Sequence, residues 1–186
     1  MNRFKLFKIF CLVLSIGAAC YYPVKKVMQY EFAPAQEFDF KVEGYDPYDP
    51  GRGHFLALQV FPKHIDKAVA EKYNYRKTPY AVVGKDQNGI ATVIDFVAAP
   101  GEAPCFKANE TFVYGGKVES IYPFTRFYIN EKLATDAERI FEEAVNANKL
   151  CVLRVKLYSD GASAVSALLI DGKDIRTLAR EKQAEK

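Results

Sequence analysis

The hydrophobic pattern changes period twice along the chain. Up to Val24 apolar residues run almost without a break, and from Glu37 they alternate. Phe38, Phe40 and Val42 are separated by Asp39 and Lys41, with Glu43 following, the signature of a half-buried strand. A Pro- and Gly-rich stretch from Gly44 to Gly53 ends it, and His54 to Phe61 is a more continuously apolar run that reads as a central strand. Residues 62–78 carry Ile65, Ala68, Val69 and Tyr73 at helical spacing, which predicts a short surface helix or a loop. Pro79–Lys85 and Ile90–Val97 read as two strands joined through Asp86-Gln87-Asn88-Gly89, since Asn-Gly tolerates positive φ. Further strands are predicted over Cys105–Ala108, Thr111–Glu119 and Arg126–Ile129.

One helix is predicted after them. Leu133, Ala137, Ile140, Phe141, Ala144 and Val145 share a face, and Thr135 with Glu138 matches a capping box. The clearest hairpin follows: Cys151, Leu153, Val155 and Leu157 alternate, Ser159-Asp160-Gly161 turns the chain, and a second apolar strand ends at Ile170 before Asp171-Gly172. Arg176 to Lys186 is strongly charged and reads as a frayed tail. The expected fold class is α+β: a mostly antiparallel β domain with one main helix, preceded by an N-terminal hydrophobic anchor helix. The expected division is an anchor region over 1–32, the β-rich domain over 33–178 and a charged tail over 179–186.

Composition supports a packed domain. Of 186 residues 49% are hydrophobic, enough for a core, and 12 Tyr with 14 Phe favour strands. The net charge of +3 is unevenly placed. Residues 1–32 carry five basic side chains against Glu31, net +4, leaving 21 basic and 22 acidic residues in the remainder, net −1. A nearly neutral domain is the wrong surface for nucleic acid, which requires clustered Lys and Arg.

The N-terminal segment has the parts of an export signal. Arg3, Lys5 and Lys8 precede an uncharged run from Ile9 to Val24, closed by Lys25-Lys26. That run lies between the ~7–15 apolar residues of a removable signal and the ~20 of a membrane span. Counted from Phe4, with Lys5 and Lys8 reaching toward the headgroups, it becomes long enough to span. The larger positive charge on the amino-terminal side places the N-terminus in the cytoplasm and the domain outside. Two other readings stay open: Gly17-Ala18-Ala19 before Cys20 as a cleavage site, and Cys20 as the lipid-bearing residue of a lipoprotein.

The stretch Asp46-Pro47-Tyr48-Asp49-Pro50-Gly51-Arg52-Gly53-His54-Phe55-Leu56-Ala57-Leu58 resembles the naming motif of the GDYXXLXY family of bacterial proteins, with its DP-x-DP-x-R lead-in. Tyr122 to Glu131, an aromatic run ending in Glu before a helix, and the closing hairpin with Asp160-Gly161 and Asp171-Gly172 are similar to that family too. The likeness covers nearly all of residues 38–175. His54 stands where the motif has an acid, and Phe55 and Val60 stand where it has Tyr. The resemblance implies a membrane-associated bacterial protein and no particular activity.

The candidate site residues are few. Asp46 and Asp49 each precede Pro, which favours extended or polyproline backbone, and the three-residue repeat of that helix would project Asp46, Asp49 and Arg52 from one side. They form either a small polar site for a cation or an amine, or a scaffold in which the carboxylates satisfy backbone amides and Arg52 bridges them. His54 could act as a base oriented by Asp49, although no nucleophile-elbow serine accompanies it. No stretch concentrates enough ligands for a metal, and no cofactor motif is found. Arg126, Tyr128 and Glu131 either line a pocket or serve as a strand-end ion pair and a helix-start carboxylate. Cys105 and Cys151 either form a disulfide in an oxidising compartment or are unrelated thiols, Cys151 being buried on its strand. These features predict a membrane-tethered, extracytoplasmic module that is more an interaction or accessory protein than an enzyme. Its partners would be the membrane and another membrane or envelope protein. The alternative is a small-ligand or hydrolytic domain centred on the DP-DP-R segment.

Overall fold

The computed structural model describes residues 12, 15–17, 19–21, 23–25, 27, 30, 33–44, 55–62, 65, 80–109, 113, 114, 117, 118 and 121–185. The chain divides into two compact units, Met1–Pro34 and Ala35–Lys186. In the first, the described residues from 12 to 30 are helical. Leu12, Ile16, Tyr21, Val24 and Val27 there are 54–65% exposed. Among the described residues no helix is long and apolar enough to cross a membrane.

The second unit is mostly antiparallel β with one main helix and a C-terminal helix. Its elements are β1 (Ala35–Gly44), β2 (Phe55–Val60), β3 (Tyr80–Lys85), β4 (Ala91–Val97), β5 (Cys105–Lys107), β6 (Val113–Tyr114), β7 (Lys117–Val118), β8 (Arg126–Tyr128), α1 (Glu131–Asn146), β9 (Cys151–Tyr158), β10 (Ser163–Ile170), β11 (Lys173–Asp174) and α2 (Ile175–Ala184). A six-stranded sheet runs β11-β10-β9-β1-β2-β8, a three-stranded sheet β4-β3-β5, and β6 pairs with β7. Strand β1 is shared along its length: Ala35 to Lys41 pair with β9, and Val42 to Gly44 pair with β2.

Alternation decides which face of the large sheet is dry. Phe38, Phe40 and Val42 on β1, Leu56, Leu58 and Val60 on β2, and Leu153, Val155 and Leu157 on β9 all enter one core cluster. Ala81 and Val83 of β3, Val93 and Phe96 of β4, and Leu133, Ala137, Phe141 and Ala144 of α1 complete it from the other side. At its centre the Phe40 ring meets Phe106, Tyr122 and Phe124 at centroid distances of 6.3, 5.8 and 4.9 Å. Each such ring adds about 1.5–3 kcal/mol of burial, with edge-to-face contacts on top. The opposite face is wet and ion-paired. Arg154 grips Asp39 with two hydrogen bonds of 2.8 Å, which raises its pKa above the usual arginine value.

Turn chemistry follows the sequence closely. Asp86 accepts hydrogen bonds from the amides of Asn88 and Ile90 at 2.8 Å, and Gly89 takes φ 78°. Asp171 and Gly172 both have positive φ, 47° and 83°, as a tight hairpin between β10 and β11 demands. Helix α1 ends where Asn148 enters the left-handed region at φ 53° and Lys149 N donates to the Ala144 carbonyl.

Three expectations need correction. Helix α1 is capped by Asn130, whose side chain accepts from Lys132 N at 3.0 Å, so Thr135 lies one turn inside the helix and caps nothing. Residues 176–184, expected to begin a charged tail, instead continue from Ile175 as α2, in which Ile175 and Ala179 are fully buried. The single strand expected over 111–119 is two short strands, Val113 facing Val118 and Tyr114 facing Lys117, with Gly115-Gly116 between them in sequence. The helix or loop expected over residues 62–78 lies almost wholly outside the described residues, where only Pro62 and a buried Ile65 are placed.

The ends of the large sheet are brought together through Arg176 at the start of α2. Its guanidinium lies 4.6 Å from the Phe127 ring of β8 and donates to the Ser166 carbonyl of β10 at 3.2 Å.

Candidate functional site

Strands β2 and β8 place the surface residues. They are antiparallel, with Phe55 opposite Tyr128, Leu56 opposite Phe127 and Ala57 opposite Arg126. Leu56 and Phe127 are buried, so the period of two sends Phe55, Ala57, Arg126 and Tyr128 to the outer face. There the Arg126 guanidinium lies over the Phe55 ring at 5.0 Å, and the Tyr128 ring stands 5.9 Å from it, tilted by 51°. Tyr128 remains 61% exposed. The sequence pointed to Arg126 and Tyr128, and the strand pairing brings them together around Phe55, the motif position that is Tyr in the family pattern. Glu131 is the first residue of α1 and is exposed, where a carboxylate favours the positive end of the helix dipole.

This cluster is an aromatic and cationic surface suited to recognition, with carboxylate or aromatic groups as its natural counterparts. Asp46, Asp49, Arg52 and His54, the other candidates, lie outside the described residues. Among the described residues no group of three His, Cys, Asp or Glu side chains could hold a metal ion.

The thiols are apart. Cys105 and Cys151 are both free and buried, and burial pushes both pKa values up, keeping them protonated and poorly nucleophilic. The disulfide considered between them is absent for a geometric reason. Cys105 lies near Asp160 after the end of β9, whereas Cys151 begins that strand near Asp171. The seven steps along its eight residues, at about 3.3 Å each, separate those ends by about 23 Å. A disulfide requires Cα atoms about 4.4–6.8 Å apart.

A concavity of about 490 Å³ opens between α1 and α2. Ile140, Ala144, Ile170 and Leu178 contribute its apolar wall, and the Glu143–Lys182 pair at 3.5 Å crosses its rim. Sequence reasoning missed this groove because α2 was read as a tail. The signal available was Ile175, Leu178 and Ala179, spaced as one helical face.

The family model described as GDYXXLXY protein matches residues 22–168, most of the chain. No curated protein and no solved structure matches it.

Proposed function

Because the chain belongs to the GDYXXLXY family, we propose that it is a membrane-tethered module of the bacterial envelope that works by binding another membrane or envelope protein. The observation carrying this reading is the exposure of Leu12, Ile16, Tyr21, Val24 and Val27 on helical backbone. Fully burying a large aliphatic or aromatic side chain is worth about 1.5–3 kcal/mol, so five left open to water are a strong drive toward an apolar phase. Counted from Phe4 to Val24, this segment approaches the length of a bilayer span. The basic residues 3, 5 and 8 keep the N-terminus in the cytoplasm and put the β-rich unit outside. The surface built by Phe55, Arg126 and Tyr128 supports binding over catalysis, since it combines interface-type side chains without a nucleophile and base.

The test is fractionation of cells expressing the full-length chain, followed by protease added from outside after the outer barrier is opened. The chain is expected in the membrane fraction, with the β-rich unit digested. A processed, soluble protein, or a protected unit with an accessible N-terminus, overturns the topology.

A further inference from the structure

On the reading of the protein as an interaction module, we infer that the outer face of β2 and β8 is the docking surface for a carboxylate-bearing segment of a partner protein. Arg126 stands in the middle of it, stacked on Phe55 at 5.0 Å and exposed. Among the described residues no carboxylate pairs with it. Elsewhere on this sheet face Arg154 is held by Asp39 at 2.8 Å and by Glu37 at 3.9 Å, and Lys41 faces Glu43 at 3.9 Å. Arg126 therefore offers a planar, bidentate donor pre-positioned by an aromatic ring, the geometry that selects carboxylates.

Tyr128 and Phe55 supply the apolar part of the same surface. Tyr and Arg are the residue types over-represented among the few that carry interface energy. Tyr128, 61% exposed, is one of the large hydrophobic side chains of the β-rich unit left open to water. An anionic bilayer is the weaker occupant. Attraction to lipid headgroups grows with the number of clustered basic groups, whereas this surface presents one and the chain from residue 33 onward has net charge −1. An acidic protein segment needs only one well-placed carboxylate with an apolar neighbour.

The experiment uses the full-length chain in the cells that make it. Photoreactive benzoylphenylalanine is placed at Ala57, which lies on this face opposite Arg126, and in a control at the exposed Ala164 of β10. Light is expected to give one protein adduct from position 57 and none from 164, with the crosslinked peptide carrying Asp or Glu. Arg126→Glu should lower the adduct at least tenfold without moving the thermal midpoint. Lysine at the mapped carboxylate of the partner should restore the adduct to that variant. An adduct to lipid or to a second copy of this chain overturns the proposal, as does a yield indifferent to Arg126→Glu. Fractionation of the same cells separates two failures. A membrane-bound chain with no adduct at 57 removes this surface and leaves the tether intact. A soluble chain removes both.

Discussion

Gly161 shows how one residue can join two sheets. It turns β9 into β10 at φ 79°, and a Cβ there would lie 2.5 Å from the Tyr80 ring of β3. Gly89 has nearly the same φ, 78°, but nothing within 4 Å of its missing Cβ. Left-handed backbone costs an L residue about 1–2 kcal/mol, and overpacking a filled site adds about 1–3 kcal/mol. Gly89→Ala is therefore expected to lose about 1–2 kcal/mol in urea unfolding, and Gly161→Ala clearly more. Equal losses would mean that Tyr80 moves aside freely. Tyr122 carries a second test at this scale. Burial among Phe40, Phe106 and Phe124 pushes its phenol far above the ordinary value near 10, and its hydroxyl donates to the Pro62 carbonyl at 3.3 Å. A raised folded-state pKa stabilises below the unfolded value and is lost as pH rises above it, so this contribution declines above pH ~10. Tyr122→Phe should be less stable than the parent at pH 8, by about 0.5–1.5 kcal/mol. Between pH 8 and 11 it should also lose less stability than the parent does. Denaturant midpoints falling in parallel over that range would exclude Tyr122 as the source.

At the scale of elements, pattern found the strands and misplaced helix ends. Thr135 and Glu138 have the spacing of a capping box, yet Thr135 is exposed in the second turn of α1 and Asn130 makes the capping bond. Asn130→Ala is expected to cost about 1 kcal/mol, as loss of a capping side chain does. Thr135→Ala should stay within about 0.5 kcal/mol, like other exposed substitutions. Thermal unfolding of the two variants decides between the caps, and a larger effect at Thr135 would reject Asn130. Helix α2 escaped notice for a different reason. Its charged residues dominate composition, while Ile175, Leu178 and Ala179, which pack it against the core, are a minority on one face.

For the whole molecule, the second unit is compact by itself, and its described buried apolar side chains run from Phe38 to Ala179. A chain of residues 35–186 is thus expected to be soluble, with a β-dominated far-ultraviolet spectrum and one cooperative urea transition. A broad, non-cooperative transition would show that residues 1–34 are needed to complete the fold. Assembly within that unit is long-range. Strand β1 near the start takes β9, more than a hundred residues later, as its neighbour, and Arg176 spans Ser166 and Phe127.

What the amino-acid order by itself determined is everything governed by neighbours within a few positions. That covers the period-two strands, the Asp86–Gly89 and Asp171-Gly172 turns, the apolar face of α1, and the family membership carried by the DP-x-DP-x-R lead-in and the hairpin. These are local because side-chain alternation and positive φ act through two to four residues. Only the tertiary structure decided which strands became neighbours, that Cys105 of β5 sits by the end of β9 opposite to Cys151, and that Phe55, Arg126 and Tyr128 form one surface. Residues 55 and 126 meet because β2 and β8 pair in a register set by packing Leu56 and Phe127 inward. That constraint comes from burying both strands against a common core, and it has no counterpart in either segment read alone.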